Sequence, residues 1–436
     1  MRAARHGFVL AVLAATSHLP SAQQRGPAVP PQQPTAIVNA NVVSVREGRI
    51  IPNATVVLRE GKIVTVGTGA APAGLTVIDA RGRYVVPGLI DAHTHIANLR
   101  AARTALESGV TTVRSAGVSA FVDVGLRELV KKGAVAGPDV LAAGYHVRPQ
   151  LAEDAFLVEP SLSAFLDGGV TTPEAIREVV RANLARGVDW IKTTSTERAG
   201  LPDTDPRRQL YTDDEVRVMV EEAAAKGIPV MAHAHGEEGA LAAVQAGVRS
   251  IEHGTYLSED ALRLMAEKGT YLVPTYATVV DLVEPGGDYD NRDLRLRGRH
   301  LLPRLRETVQ RAMKLGVKIV TGADTGYGPN SVTRVSHEVA AFVEMGMTPL
   351  QALQSATTRA AELLTLTART GAIEPGLEAD LLVVERNPLQ HVGTLDDPLL
   401  VMSNGRIVVN RLSFGRQAGT NGGRTGTISK EQWRPE

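Results

Sequence analysis

The sequence predicts an α/β fold, a (β/α)8 TIM barrel joined to a small β-sandwich built from both termini. Three observations carry that expectation. A phrase of amphipathic helix, glycine stop and nearly all-apolar strand recurs at least six times between residues 87 and 365, which is the pattern of a parallel sheet covered by helices. No Gly-rich phosphate fingerprint opens any of these helices. That disfavours an open doubly wound sheet, the other architecture the pattern allows. Short strand–turn–strand signals lie before and after the repeated phrases.

Taken in order, residues 1–22 place Arg2 and Arg5 ahead of a short apolar core from Phe8 to Ala15, followed by small residues. This reads as a cleavable export signal, so a periplasmic or secreted protein is expected. Its apolar part is far shorter than the roughly 20 residues that span a bilayer. Residues 23–35 form a Pro-rich linker. The N-terminal part of the sandwich, 36–86, includes TVVLREGKIVTVG, two strands around Glu60-Gly61. The barrel is expected over 87–370. There TPEAIREVVRANLARG sets Ile176, Val179, Val180 and Leu184 at helical spacing and stops at Gly187, before the strand VDWIK. TDDEVRVMVEEAAAKG carries a capping box, Thr212 with Glu215, and stops at Gly227 before IPVMAHAH. AARTALESG–VTTVRSAG, GALAAVQAG–VRSIEHG, ALRLMAEKG–TYLVPT and ETVQRAMKLG–VKIVTGAD repeat the phrase. Two long stretches, RPQLAEDAFLVEPSLSAFLDGG after the third strand and VVDLVEPGGDYDNRDLRLRGRH after the sixth, read as lid loops. The C-terminal part of the sandwich, 371–412, contains the hairpin LLVMSNGRIVVN with Asn404-Gly405 at its turn. Residues 413–436 form a polar tail.

Composition narrows the function. A chain of 436 residues with 43% apolar and 22% charged side chains is ordinary globular protein. Formal net charge is zero and the pI is about 7.2, so neither nucleic acid nor a membrane surface is expected as a partner. There is no cysteine, and any metal site must use nitrogen and oxygen ligands. Symmetric homo-oligomers are common among soluble enzymes of this size, and one is expected here.

The chemistry concentrates at strand ends. In GLIDAHTHI, His93 and His95 alternate along one strand and therefore point to the same side. Lys192 ends VDWIK, His233 and His235 end IPVMAHAH, His253 ends SIEH and Asp324 ends IVTGAD. In the predicted barrel, residues at the carboxyl ends of strands converge on one pocket. Imidazoles, a lysine and an aspartate gathered in an apolar funnel are unfavourable as isolated groups. Divalent metal resolves the conflict. His-x-His alone is a weak signal; the full set, each member closing an apolar strand in order, is a strong one.

PGLIDAHTHI, Lys192, His233, His253 and GAD at Asp324, with GVTTVRSAG, SIEHGT and GLEADLLVV around them, resemble the amidohydrolase superfamily in its binuclear metal branch. The chain is most similar to the imidazolonepropionase-like subgroup of Xaa-Pro and Xaa-Arg dipeptidases that also contains the fungal ochratoxinase. The resemblance spans roughly residues 36 to 410. It implies that His93, His95 and Asp324 hold one metal ion and His233 and His253 the other, with Lys192 bridging both as a carbamate. His235 shares the strand face of His233; the resemblance favours His233 as ligand and leaves His235 to contact substrate or to lie behind the ligands. Two Zn²⁺ ions are the expected metals, given ligands without thiolate. His146 and Tyr256 are candidates for polarising the scissile carbonyl. Arg114 and Arg148 are candidates for pairing with a substrate carboxylate. Where an acid often follows the second-strand arginine in the superfamily, this chain has Ser115.

The reaction implied is hydrolysis of the amide bond in a dipeptide or N-acyl amino acid, the class to which ochratoxin A belongs, by a metal-bridging hydroxide with Asp324 as general base and acid. A cyclic-amide or lactone hydrolase is the competing enzyme reading. A non-catalytic barrel scaffold is the third, disfavoured because every metal ligand is present.

Overall fold

A computed structural model describes residues 33–329 and 331–413. The expected leader, nearly all of the linker and the tail after residue 413 lie outside the described residues. The chain enters through β1 (Thr35–Ser44), β2 (Arg49–Arg59), β3 (Lys62–Thr68), β4 (Thr76–Asp79) and β5 (Tyr84–Pro87). The turn between β2 and β3 puts Glu60 and Gly61 at φ 51° and 77°, the left-handed pair that a tight hairpin needs. A parallel series follows: β6 (Leu89–Thr94), β7 (Val110–Ser115), β8 (Asp139–Leu141), β9 (Ile191–Thr194), β10 (Val230–Ala234), β11 (Ser250–His253) and β12 (Tyr271–Val273). Helices lie between them, and the chain closes with β13 (Leu381–Val384), β14 (Leu400–Ser403) and β15 (Arg406–Asn410).

Local sequence explains the helix boundaries. The helix Pro173–Ala185 starts on Thr172, whose side chain accepts the Ala175 N–H, and buries Ile176, Val179 and Val180. The helix Asp213–Ala224 has the predicted capping box between Thr212 and Glu215. The expected lid loop after "the sixth strand" needs two corrections: it follows β12, the seventh parallel strand, and much of it is helix. Residues Arg292–Lys314 form one helix of 23 residues with Pro303 inside. Its buried stripe runs through Leu294, Gly298, Leu301 and Leu305. A Cβ at position 298 would lie 2.9 Å from both Leu282 Cβ and Val283 Cγ2, so the helix packs closely there. The other predicted lid also contains helix, Glu153–Val158, followed by a 3₁₀ segment, Pro160–Phe165.

Two parallel sheets result, β6-β7-β8 and β12-β11-β10-β9. Backbone contacts connect them at both edges. Val147, just past β8, bridges to Thr193 on β9, and the stretch around Ile319–Thr325 bridges to Leu272 on β12 and to Thr94 on β6. Asp324 N–H donates to His93 O at 2.8 Å. Gly322 permits this approach: a Cβ there would lie 2.5 Å from Val273 Cγ1 and 2.7 Å from His93 Cβ. The strands from the two ends of the chain meet in one sheet, ordered β15-β14-β13-β5-β1-β2-β3 with β4 beside β1. They follow a single hydrogen-bonded path because β5 pairs directly with β13, so both ends of the chain build one unit. Asn404 and Gly405 form the predicted turn between β14 and β15, with φ 48° and 74°. Among the described residues no helix is long and apolar enough to cross a membrane.

Candidate metal centre

A narrow cavity of about 40 Å³ is lined by His93, His95, His146, Lys192, His233, His235, His253 and Asp324. His93, His233 and His253 sit at or next to the carboxyl ends of β6, β10 and β11 and His235 just beyond β10, whereas Lys192 is the second residue of β9, which runs on through Thr194 instead of ending at the lysine. His253 and Asp324 hold positive φ, 75° and 46°, as does Thr275 at 49°. Such conformations are costly for side chains with a Cβ and recur where position matters more than local stability.

Hydrogen bonds fix several imidazole tautomers. His93 Nδ1 lies 2.6 Å from Glu252 Oε2, and His95 Nδ1 lies 2.8 Å from Gly117 O. Carboxylates and carbonyls only accept, so both Nδ1 atoms carry a proton, and Nε2 is the atom that the neutral ring leaves to ligate. Those Nε2 atoms face Asp324 Oδ1 at 3.4 and 3.1 Å. His233 is turned the other way: its Nε2 lies 3.2 Å from Glu197 O, which leaves Nδ1 free. His253 Nδ1 and His235 Nδ1 contact the hydroxyls of Thr275 and Thr255 at 2.7 and 2.8 Å. Two groups bring their ligand atoms within 4.8 Å of one another: His233, His235 and His253, and His93, His253 and Asp324. Both candidates from IPVMAHAH therefore reach the cluster.

Burial sets the charges. It lowers His93 to about 4 and His235 to about 3, and carries His146, His233 and His253 well below the ordinary histidine range. All five are neutral at pH 7, the form that binds metal. Burial would raise Asp324, but His93, His95 and Lys192 hold it well below the usual carboxylate range. Lys192 is pushed down to about 8 by burial, and its buried Nζ has no hydrogen-bond partner among the described residues.

Other predicted residues fall elsewhere. Tyr256 does not line the cavity; its ring packs 6.2 Å from His300, since the turn after β11 carries it outward. Arg114 is not available to a substrate. It is fully buried, donating to Ala92 O at 2.6 Å, Ser250 Oγ at 3.0 Å and Glu252 Oε1 at 2.8 Å, with its guanidinium 4.5 Å from the Trp190 ring. Arg148 is half-buried and does not line the cavity. Glu252 was missed by the sequence reading. Burial would raise its carboxyl, yet Arg114, His93 and Lys192 hold it at about 2, so an ionised acid orients His93. The readable signal was a pair of opposite charges, Arg114 and Glu252, inside two otherwise uncharged strands. Arg198 and Tyr289, also cavity-lining, come from segments without periodicity. A larger cleft of about 770 Å³ opens at the amino ends of β8 and β9. Ion pairs such as Arg127–Asp189 and Arg369–Asp139 already occupy its charges, and no histidine lines it.

Comparison with known proteins agrees with this geometry. The amidohydrolase family pattern matches residues 84–408. Ochratoxinase of Aspergillus niger is 27% identical over 410 residues, covering 84% of each chain. Imidazolonepropionase of Symbiobacterium thermophilum is 26% identical and covers 84% of this chain and 92% of its own. The crystal structure of a Xaa-Pro dipeptidase with bound methionine superposes with a TM-score of 0.77 at 29% identity, covering 86% of this chain and 99% of that one. Strand-end histidines gathered with a lysine and an aspartate, within a match over most of the sequence, place the chain in the amidohydrolase family, as a hydrolase of amide-type C–N bonds.

Proposed function

We propose that this enzyme cleaves the amide bond of a dipeptide or N-acyl amino acid and releases the C-terminal amino acid, at a centre of two divalent cations. The observation that carries the reading is a convergence of ligand atoms. His93 Nε2 and His95 Nε2 both face one Asp324 oxygen, at 3.4 and 3.1 Å, and Lys192 Nζ is buried with no hydrogen-bond partner among the described residues. Divalent cations would be held where these atoms meet. In this reading His93, His95 and Asp324 would hold one ion, and His253 with His233 or His235 the other. Lys192 would serve both as a carbamate, formed when its neutral amine adds CO2, makes an N–C bond and loses a proton to water. The connections at both sheet edges support a closed eight-stranded barrel around this centre, and the leader supports export.

Bound divalent metal, Zn²⁺ by the chemistry of the ligand set, would polarise the scissile carbonyl and make water acidic. The protein's own groups do the rest. Asp324 takes a proton from the attacking water and delivers it to the leaving nitrogen. His146, which lines the cavity, would donate a hydrogen bond toward the carbonyl oxygen. Ala199, Val279, Leu282 and Tyr289 supply an apolar surface on the same cavity. The test is release of amino acid by Zn²⁺-loaded enzyme from Xaa-Pro, Xaa-Arg and N-acyl-Phe substrates, with cyclic amides and lactones alongside. Turnover confined to the cyclic compounds would replace the proposed substrate class, and two ions per chain are expected on metal analysis.

A further inference from the structure

We infer that Arg198 is the anchor for the substrate's free α-carboxylate, so that the enzyme acts only at a C-terminal residue. The inference rests on the amide-hydrolase reading above and assigns its specificity. Arg198 lines the cavity that holds the histidines and Asp324. Among the described residues its guanidinium has no hydrogen bond or ion pair, although it is half-buried. The neighbouring acid cannot neutralise it, because Glu197 pairs with Arg208 and accepts the Asp205 N–H at 2.7 Å. Arg114, an alternative anchor, is committed to Glu252.

Three further observations point to an anion at this position. Arg148 lies close enough for the two guanidinium charges to repel, and that repulsion adds to burial in lowering Arg148. The positive charge of Arg198 is also felt by His146, Lys192 and His233. One side of the cavity therefore carries positive charge, and no ion pair to Arg198 forms among the described residues. Next, the loop carrying Arg198 is held in place. Arg297, on the helix Arg292–Lys314, donates to the carbonyls of Ala199 at 2.9 Å, Pro202 at 2.9 Å and Thr204 at 2.6 Å, and also to Leu201 O. Thr204 Oγ1 in turn donates to Arg198 O at 2.5 Å. A fixed loop presents its guanidinium with little ordering cost on binding. Finally, the same cavity is lined by Ala199, Val279, Leu282 and Tyr289, which gives an apolar side chain a surface to meet once the carboxylate is anchored. A planar fork matched to two carboxylate oxygens is the recognition that arginine provides best. An internal peptide bond offers no such anion and would leave the guanidinium desolvated and unpaired.

The test is equilibrium binding to the metal-loaded enzyme, by calorimetry, of the N-methanesulfonyl derivatives of leucine, phenylalanine and proline, which offer no acyl carbon to cleave, each against its C-terminal carboxamide. Wild type is expected to bind at least one free acid about 10- to 100-fold more tightly than its amide, the range for hydrogen bonds to a charged group. Arg198→Met should bring the ratio close to one, and Arg198→Lys should retain part of it. Arg297→Met, which frees the loop, should lower the ratio less than Arg198→Met. Thermal melting checks that each variant is folded, and Arg198→Lys carries the comparison if Arg198→Met is not. A wild-type ratio near one for all three pairs, or an unchanged ratio in a folded Arg198 variant, overturns the inference. Turnover measured in parallel separates the two claims: acid-selective binding without hydrolysis of any linear amide refutes the reaction and leaves the anchor standing.

Discussion

Replacing Arg114 with methionine should expose how the centre is held from beneath. Arg114 and Glu252 are both fully buried, and Glu252 positions His93 through a 2.6 Å contact. Methionine fills much of the arginine's volume but supplies no donor, so the Glu252 carboxylate keeps only Ser250 and His93. Removing one partner of a buried ion pair typically costs about 3–5 kcal/mol. For a chain of this size that is a fall in thermal midpoint on the order of 5–10 °C. The effect carries a pH signature. Glu252 is held at about 2 in the folded protein against an ordinary 4.5. Its stabilising contribution is therefore fully present above about pH 4.5 and is lost as pH falls toward 2. Without Arg114 the balance tips to burial, which raises the carboxyl. The gap between wild type and variant should be widest near neutrality and shrink below about pH 4. The assay is urea unfolding across pH 3–8, with the double variant Arg114→Met/Glu252→Gln completing a cycle. The double variant should recover about 2 kcal/mol or more of the loss, since glutamine removes the stranded charge and still accepts from His93. An Arg114→Met protein within about 1 kcal/mol of wild type at pH 7, or a double variant no better than the sum of the singles, would refute the reasoning.

Three other predictions are direct. Lys192→Ala should lower metal content and turnover together, read by elemental analysis and by substrate assay; full metal occupancy at full rate would contradict a bridging lysine. Asp324→Asn should keep the fold by circular dichroism and lose at least about 100-fold in kcat, within the usual range for general acid–base groups; an unimpaired kcat would remove Asp324 from proton transfer. Asp380, buried and accepting from Thr370 Oγ1 and Asn404 N at 2.8 Å each, is raised to about 7 by burial and then by Asp139. The folded state therefore holds this proton more tightly than the unfolded chain, and stability should decline as pH climbs from about 4 to 7. Asp380→Asn should flatten that slope in urea titrations, and an unchanged slope would reject the assignment.

Much of this molecule was legible because its signals are local. A helix that starts at Thr212 with Glu215 three residues on, or a hairpin turning at Asn404-Gly405, depends on chemistry within a few residues. The strand-end groups were legible for a related reason: a polar residue closing an apolar strand, such as Lys192 after VDWI, has few explanations. Legibility failed where the partner is remote in sequence. Arg114 looked available for a substrate because nothing near it announces Glu252. Tyr256 followed a ligand-bearing strand, yet the next turn carries its ring toward His300. The segment around Arg292 was read as loop because its apolar stripe includes Gly298, a position made glycine by the neighbours it packs against. Arg198 sits in a stretch without periodicity, and its meaning comes only from the residues assembled across from it.

The pairing of β5 with β13 has a consequence for how the chain folds. Pro87 and Val86 must find Leu381 and Leu382 across almost the entire intervening sequence, a contact of very high order and hence slow to form. During synthesis the first five strands emerge with one edge unsatisfied and must wait for the last three. Until those arrive, that open edge is available to another chain. How much chain is lost to association before the fold is complete should therefore depend on how soon this one pairing forms.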